Sequence, residues 1–275
     1  MNIPHLSFKK KSDKQTYSKK EICPKLKFGN SYKNTKVSQV SILEAIFFRL
    51  KTGCQWRELP MKQFFRKSYK WQSVYFHFRK WNLNGEIERL WIYLLEKYKH
   101  TLDMSSTQLD GSHTPAKRGG QAVAYQGRKK SRTTNMLIMA DNKGVPIACS
   151  EAIGGNHNDA FELEKNVEQM LQNIKASNIT TEGLFMNADA GFDTKEFRVF
   201  CYKNDIHANI DRNPRNGSEE EYLFDDLLYK CRFVIERTNA WLDGFKALLV
   251  RFETNKNHWK GLHLLAFMAI LLRQL

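Results

Sequence analysis

The sequence lacks a long hydrophobic run. Its most apolar segment, residues 262–272, is too short to span a bilayer and follows a helical pattern, so we interpret it as a packing helix. The N-terminus is polar and lysine-rich, without the apolar stretch that directs secretion. We therefore expect a cytoplasmic protein with no membrane partner.

Paired cysteines are also missing. The five cysteines are scattered and no two have C-x-x-C spacing: Cys23, Cys54, Cys149, Cys201 and Cys231. This pattern predicts free, mostly buried thiols in a reducing compartment and argues against a zinc site. Hydrophobic residues make up 41% of the 275 residues, which excludes a disordered chain and fits one or two domains with real cores.

Acidic residues are scarce relative to basic ones. The chain has 29 Asp and Glu against 44 Lys and Arg, which gives a net charge of +15. This charge indicates a polyanionic partner. The alternative is a basic surface that binds no polyanion, and charge alone does not exclude it. No acid lies between Gly111 and Ala140. If a catalytic site lies next to this stretch, we expect its basic residues to hold the DNA backbone. The alternative is a solvated loop. Its predicted DNA contacts are Lys117, Arg118, Arg128, Lys129 and Lys130.

The chain is predicted to contain three regions. Residues 1–37 form a lysine-rich segment without regular pattern, which predicts a poorly ordered basic arm. Residues 38–103 have helical periodicity, with helices predicted over 38–53, 69–81 and 86–100. The exposed face of the second helix is predicted to present Lys70, His77, Arg79 and Lys80. A helix-turn-helix-like DNA-binding region and a plain helical bundle both fit this periodicity, and the charge favours the first.

Residues 104–275 contain short strand-like runs between helices. Strands are predicted over 107–112, 136–140, 146–153, 184–187 and 206–210, and helices over 159–176 and 194–203. This order predicts an α/β domain, a mixed sheet covered by helices. Turn and capping roles are predicted for Asp141 in a hairpin turn at 141–144, for Asn158 or Asp159, for Asp193, and for a capping box at 218–221.

Three acids are candidates for chemistry. Asp110 and Asp189 each end a short apolar run, and Glu236 lies on a predicted helix. The face of that helix opposite its apolar stripe carries Tyr229, Arg232, Glu236 and Asp243. Carboxylates brought from separate elements to one sheet edge can hold two divalent metal ions for phosphoryl transfer. One strand-end aspartate alone is more often a turn or cap, so the prediction depends on the three together. We interpret His113 and His157 as structural.

Six segments have the form of known motifs: LKTGCQWRELP at 50–60, WQSVYFHFRKW at 71–81, LDGSH at 109–113, GNHND at 155–159, ADAGFD at 188–193 and FVIERTNAWL at 233–242. Together they resemble the DDE transposases of bacterial insertion sequences, especially the insertion-sequence-five group. The family's Tyr-x2-Arg-x3-Glu-x6-Lys signature is matched by Tyr229, Arg232 and Glu236. Asp243 stands where the lysine is expected, and Lys246 or Arg251 is then the candidate to replace its DNA contact.

The resemblance implies a ribonuclease-H-like catalytic domain. Asp110, Asp189 and Glu236 would be catalytic and bind Mg²⁺ or Mn²⁺, as two ions, and Tyr229 and Arg232 would contact DNA. It further implies a bacterial, nucleoid-associated transposase that cleaves the terminal inverted repeats of its own element and transfers the strand to target DNA, as a homodimer or higher oligomer.

Two alternatives stay open at this point. One is a ribonuclease-H-like nuclease without strand transfer, and the other is a decayed transposase that only binds DNA. The intact acids argue against the second alternative, whereas Asp243 keeps it open.

Overall fold

The computed structural model describes residues 21–28, 37–213 and 223–275. Within the described residues, four α-helices precede the sheet: α1 (Gln39–Thr52), α2 (Met61–Phe64), α3 (Trp71–Leu83) and α4 (Glu86–Tyr98). The three long helices bury the apolar stripes that their periodicity predicted. Helix α1 ends at Gly53, whose φ of 68° is a left-handed conformation that favours glycine.

A seven-stranded sheet follows these helices. Its strands are β1 (Thr107–Pro115), β2 (Ala124–Gln126), β3 (Ser131–Asp141), β4 (Pro146–Cys149), β5 (Ile153–Gly154), β6 (Leu184–Ala188) and β7 (Ile206–Ile210). The main order is β2-β3-β1-β6-β7, with β4 and β5 also paired to β3. Strand β1 is antiparallel to β3 and parallel to β6, which is parallel to β7. Antiparallel strands on one side of β1 and parallel strands on the other make a ribonuclease-H-like sheet, so the predicted fold class is confirmed.

The connection between β3 and β4 is the predicted hairpin. Its Gly144 has a φ of 82°. Asp141 is fully buried, and its carboxylate accepts hydrogen bonds from the backbone N–H groups of Asp103 (2.9 Å), Lys143 (3.0 Å) and Val145 (2.7 Å). These bonds confirm the structural role predicted for Asp141.

The part of the chain that the structure describes contains six further α-helices: α5 (Leu163–Ala176), α6 (Lys195–Lys203), α7 (Asp226–Tyr229), α8 (Val234–Asp243), α9 (Lys246–Leu249) and α10 (Lys256–Leu271). Two capping predictions are wrong. Helix α5 begins only at Leu163, so Asp159 does not cap it. Thr194 rather than Asp193 caps α6, because its Oγ1 accepts a hydrogen bond from the Phe197 N–H at 3.1 Å.

The helix that bears Glu236 is shorter than predicted. The chain forms α7, then a 3₁₀ turn over Lys230–Phe233, and only then α8. Asp225 caps α7 by accepting hydrogen bonds from the backbone N–H groups of Leu227 and Leu228, both at 2.9 Å. The predicted capping box at 218–221 lies outside the described residues. Because the turn interrupts the α-helical repeat, the predicted single line of side chains along one helix does not hold.

Helix α10 is the predicted packing helix. It contacts α1, α3, α4 and β4, and residues 262–272 are all buried. The rings of Phe267 and Trp91 meet edge-on with centroids 5.8 Å apart, and the Trp91 indole donates to the Ile147 carbonyl oxygen at 3.1 Å. One core cluster thus joins the helical region to the sheet, and the predicted boundary between residues 103 and 104 stays a prediction.

Part of the predicted basic arm is packed. Ile22, Leu26 and Phe28 are each at most 6% exposed. The Trp81 indole donates to the carbonyl oxygen of Lys27 at 3.0 Å. For residues 21–28 the prediction of a poorly ordered arm is wrong, because their apolar side chains join the core. Residues 1–20 and 29–36 lie outside the described residues. Among the described helices, none has the length and apolarity needed to cross a membrane.

Candidate active site

Two aspartates lie at the same level of the sheet. Strands β1 and β6 pair in parallel, with Gln108 opposite Asn187. The same offset, continued for two residues, puts Asp110 opposite Asp189. Asp110 lies within β1, and Asp189 follows β6 directly. The sheet therefore brings together two of the three predicted catalytic acids.

The two carboxyl groups are close enough to affect each other. Burial raises the pKa of Asp110 to about 6; hydrogen bonds from Asn239 and the Gly111 N–H oppose this rise, and the charges of Asp189 and Asp159 add to it. Asp189 accepts a hydrogen bond from the Gly191 N–H at 2.8 Å. The site thus concentrates negative charge in a partly buried place.

Helix α8 contributes a side-chain amide that hydrogen-bonds one of the two aspartates. Asn239 Nδ2 donates to Asp110 Oδ2 at 3.3 Å. Glu236 lies three residues earlier, about one turn away, and its side chain is exposed. Within residues 21–28, 37–213 and 223–275, no three His, Cys, Asp or Glu side chains are placed to hold one metal ion. The structure therefore does not gather Glu236 with the two aspartates.

The donor chemistry of the pair fits a divalent cation. Carboxylate oxygens are the hard ligands that Mg²⁺ and Mn²⁺ prefer. The pKa of Asp110 is raised in part by neighbouring negative charge, which a bound cation would offset. Asp110 and Asp189 are the residues that would hold such an ion, and Glu236 stays the predicted third ligand.

Tyr229 and Arg232 lie beside this pair. Burial raises the pKa of the Tyr229 hydroxyl, Arg232 lowers it, and the charges of Asp211 and Asp189 raise it. The Arg232 guanidinium lies over the Tyr229 ring, with Cζ 5.5 Å from the ring centroid. The ring contact therefore holds the Arg232 guanidinium beside Tyr229, whose hydroxyl is close enough to Asp189 to be affected by its charge.

Asp159 is a further acid near the site. Its Oδ1 accepts a hydrogen bond from Asn135 Nδ2 at 2.6 Å and lies 3.4 Å from His113 Nε2. A Cβ at Gly111 would lie only 2.2 Å from Asp159 Oδ1, so a side chain there would displace it. Burial raises the pKa of Asp159, but hydrogen bonds from His113 and Asn135 outweigh it and leave the pKa lowered. Asp159 was not among the site residues predicted from the sequence. The feature of the sequence that could have indicated its position is Gly111, directly after Asp110, because only a residue without a Cβ leaves room for the Asp159 carboxylate.

The predicted basic loop contains a β-hairpin. Residues 124–126 of β2 pair with residues 131–133 of β3. The Lys129 ammonium donates to the His113 carbonyl oxygen at 3.1 Å, and its charge helps to lower the pKa of Asp159. The turn at 127–130 thus reaches the strand that carries Asp110. All five predicted DNA contacts of this region are exposed: Lys117, Arg118, Arg128, Lys129 and Lys130.

Arg251 cannot replace the missing lysine of the family signature. It is 1% exposed and donates to the carbonyl oxygens of Gln121 (2.7 Å) and Ala122 (3.2 Å) and to Thr134 Oγ1 (2.8 Å). The hypothesis that it contacts DNA is wrong. Lys246 is exposed and stays a candidate.

Helix α3 does not present all the residues that were predicted to face DNA. Lys70 and Arg79 are exposed and Lys80 is partly buried. His77 is 3% exposed, with its ring centroid 5.6 Å from that of Trp81. The prediction that His77 faces DNA is wrong, because this side chain packs in the core.

Two family models match the chain. The model described as "Putative transposase of IS4/5 family" matches residues 20–91. The model described as "DDE superfamily endonuclease" matches residues 109–272, which is more than half of the chain and includes all three predicted catalytic acids.

Individual proteins are more distantly similar. The "Putative transposase for insertion sequence element IS402" of Burkholderia cepacia is 29% identical over 119 residues, which cover 42% of this chain and 52% of that protein. The match thus spans about half the length of this relative. A solved structure, "Mos1 transposase paired-end complex with left transposon end", is 12% identical with a TM-score of 0.31, covering 81% of this chain and 74% of that one.

Proposed function

Because the chain belongs to the DDE superfamily of endonucleases, we propose that it is a transposase that cleaves DNA at the ends of its own insertion sequence. We further propose that it joins the freed 3′ end to target DNA. The relative named as a transposase and the matched N-terminal region support this choice of substrate. We expect it to act in the bacterial cytoplasm, at the nucleoid, as a homodimer or higher oligomer on DNA.

The observation that carries the proposal is the proximity of Asp110, on β1, to Asp189, which follows the neighbouring parallel strand β6; the charge of Asp189 raises the pKa of Asp110. Asp110 and Asp189 would hold divalent cations, which we propose to be two ions of Mg²⁺ or Mn²⁺, and these ions would supply positive charge that stabilises a phosphate under attack. Asn239 fixes one carboxylate by its hydrogen bond. Glu236, one turn earlier on α8, is proposed to complete the site when DNA is bound.

The basic residues around the acids are proposed to hold the DNA backbone. Arg232 lies on the Tyr229 ring beside Asp189, where a guanidinium can bind a phosphate oxygen. The basic hairpin reaches the other side of the site through Lys129, whose ammonium lies on the strand that carries Asp110. Positive groups on both sides would position the scissile phosphate over two acids that would otherwise repel it.

The first test is substitution of the acids. Asp110→Asn, Asp189→Asn and Glu236→Gln should each reduce the rate of Mg²⁺- or Mn²⁺-dependent cleavage of element ends by more than about 100-fold, since even outer partners of metal sites cost 10–100-fold. DNA affinity should be retained. Asp205→Asn is the matched control, because Asp205 is exposed with a φ of 53° that asparagine tolerates, so its cleavage rate should not change. Cleavage by the Asp110 variant at the wild-type rate would falsify the proposal.

Strand transfer needs its own measurement. Wild-type protein is given intact element ends in one reaction and pre-cleaved element ends with a target plasmid in another, and cleaved and joined products are measured separately. Joining supports a transposase. Cleavage without joining points to a nuclease, and binding with neither reaction points to a decayed transposase.

A further inference from the structure

Helix α3 has one continuous exposed stripe. Its members are Gln72, Phe76, Arg79 and Leu83, spaced by four, three and four residues, which puts them on one face. Phe76 is 56% exposed and Leu83 is 59% exposed, although both are large apolar side chains. The stripe therefore combines an amide, an aromatic ring and a guanidinium on a surface that nothing in the described chain covers.

The opposite face holds this stripe outward. Val74, Phe78 and Trp81 are at most 1% exposed, and His77 is 3% exposed. Helix α3 cannot turn about its axis without exposing these large apolar side chains to water, which is unfavourable. The orientation of Gln72, Phe76 and Arg79 is thus fixed by packing.

The charged residues that neighbour the stripe along the sequence are all basic. No acid occurs between Leu59 and Gly85, and the exposed cations before the helix are Lys62, Arg66, Lys67 and Lys70. The Arg79 guanidinium lies 5.7 Å from the Tyr75 ring centroid, a contact that limits its freedom. A surface of one charge sign around an exposed helix favours a polyanion over a protein partner.

We propose that Gln72, Phe76 and Arg79 recognise base edges in the major groove of duplex DNA, with Arg66, Lys67 and Lys70 on the flanking phosphates. The inference rests on the proposed function, for which it names the residues that recognise the element's ends. Gln72 and Arg79 are about 10 Å apart along the helix, the rise of about three base pairs. Glutamine pairs with adenine N6 and N7, arginine with guanine O6 and N7, and an apolar ring packs on the thymine methyl group.

The experiment begins with site selection. The full-length protein selects from a pool of random duplexes, which gives its preferred site, and each variant repeats the selection. Gln72→Ala, Phe76→Ala and Arg79→Ala should each relax preference at one or two neighbouring positions and leave the other positions unchanged. Lys67→Ala should weaken binding to all duplexes alike and reduce the salt dependence by about one phosphate contact.

Base analogues then identify the partner of each side chain. Replacing thymine by uracil removes the methyl group, and replacing guanine by 7-deazaguanine removes N7. The uracil change should weaken wild-type binding about fivefold or more but leave Phe76→Ala unaffected. Likewise, the 7-deazaguanine change should weaken wild-type binding but leave binding by Arg79→Ala unaffected.

Substitutions on a different helix serve as controls. Gln172→Ala and Lys175→Ala remove exposed side chains of the same types from α5, and the selected site should not change. Equal loss of affinity for all duplexes in the three stripe variants would overturn base recognition, as would a wild-type protein that selects no site. Binding is scored without cleavage, so loss of the proposed reaction and loss of this recognition surface give different results.

Discussion

Aspartates of the sheet have different roles in this protein, depending on what surrounds each carboxylate. Asp141 accepts three backbone hydrogen bonds and is fully buried, whereas Asp110 shares a level of the sheet with Asp189. Asp141→Ala should leave three N–H groups without their acceptor and lower the free energy of unfolding by on the order of 3 kcal/mol, measured by urea denaturation. Asp243→Ala, at an exposed position, is the control and should change it by less than about 0.5 kcal/mol. Equal stability of both variants would contradict the structural role.

The sequence predicts the role of an aspartate only where that role depends on neighbouring residues in the chain. Asp141 was recognisable because it stands in a hairpin turn with Gly144 three residues later. Asp159 was not, because its partners His113 and Asn135 come from two other strands, and only the folded sheet brings them together. Sequence spacing had suggested a cap, which is the commoner role for an aspartate before a helix.

At the scale of elements, Arg251 ties the basic hairpin to the rest of the domain. Its guanidinium donates to the carbonyl oxygens of Gln121 and Ala122, which immediately precede β2. Arg251→Met keeps the apolar stem but removes the donor to these partly buried carbonyl oxygens and to the buried Thr134 Oγ1, which should destabilise the protein by about 3 kcal/mol. Amide hydrogen exchange should quicken most in residues 116–126. Lys246→Met, at an exposed site, should change neither quantity; unchanged exchange in the Arg251 variant would exclude the anchoring role.

Element prediction succeeded where one period runs without interruption. Strand β7 was predicted with its observed ends, and α1 and α4 with ends within two residues. It failed for β2, which is three residues long and forms only because β3 offers an edge to pair with. It also failed at Lys230–Phe233, where a 3₁₀ turn breaks the predicted helix. A periodicity argument assumes a constant 100° per residue and cannot detect such a change.

At the scale of the molecule, the two predicted regions share one core. Helix α10 lies against α1, α3 and α4 as well as β4, so a fragment without the N-terminal helices would expose its apolar face. Such a fragment cannot separate end recognition from folding. Point substitutions on exposed surfaces can, because they leave this packing intact.

The shared core also makes global stability depend on pH. Burial, and secondarily Lys80, lowers the pKa of His77 to about 4 from an ordinary value of 6.5, so the folded protein keeps this ring neutral. As pH falls below 6.5, the unfolded chain takes up the proton first, and stability is lost progressively between pH 6.5 and about 4. By pH 5 the loss from His77 should reach about 2 kcal/mol.

Substitution of His77 by phenylalanine tests this dependence. His77 Nδ1 is buried and finds no hydrogen-bond partner among the described residues, so a phenyl ring, which packs well beside Trp81, should be tolerated at pH 7.5. Urea denaturation at pH 7.5 and pH 5 should show a smaller loss of stability in His77→Phe than in wild type, by about 2 kcal/mol. His263, whose pKa burial also lowers to about 4, is present in both proteins and contributes to the acid sensitivity that remains. An identical loss in the two proteins would mean that His77 is already protonated, or is exposed, in the folded state.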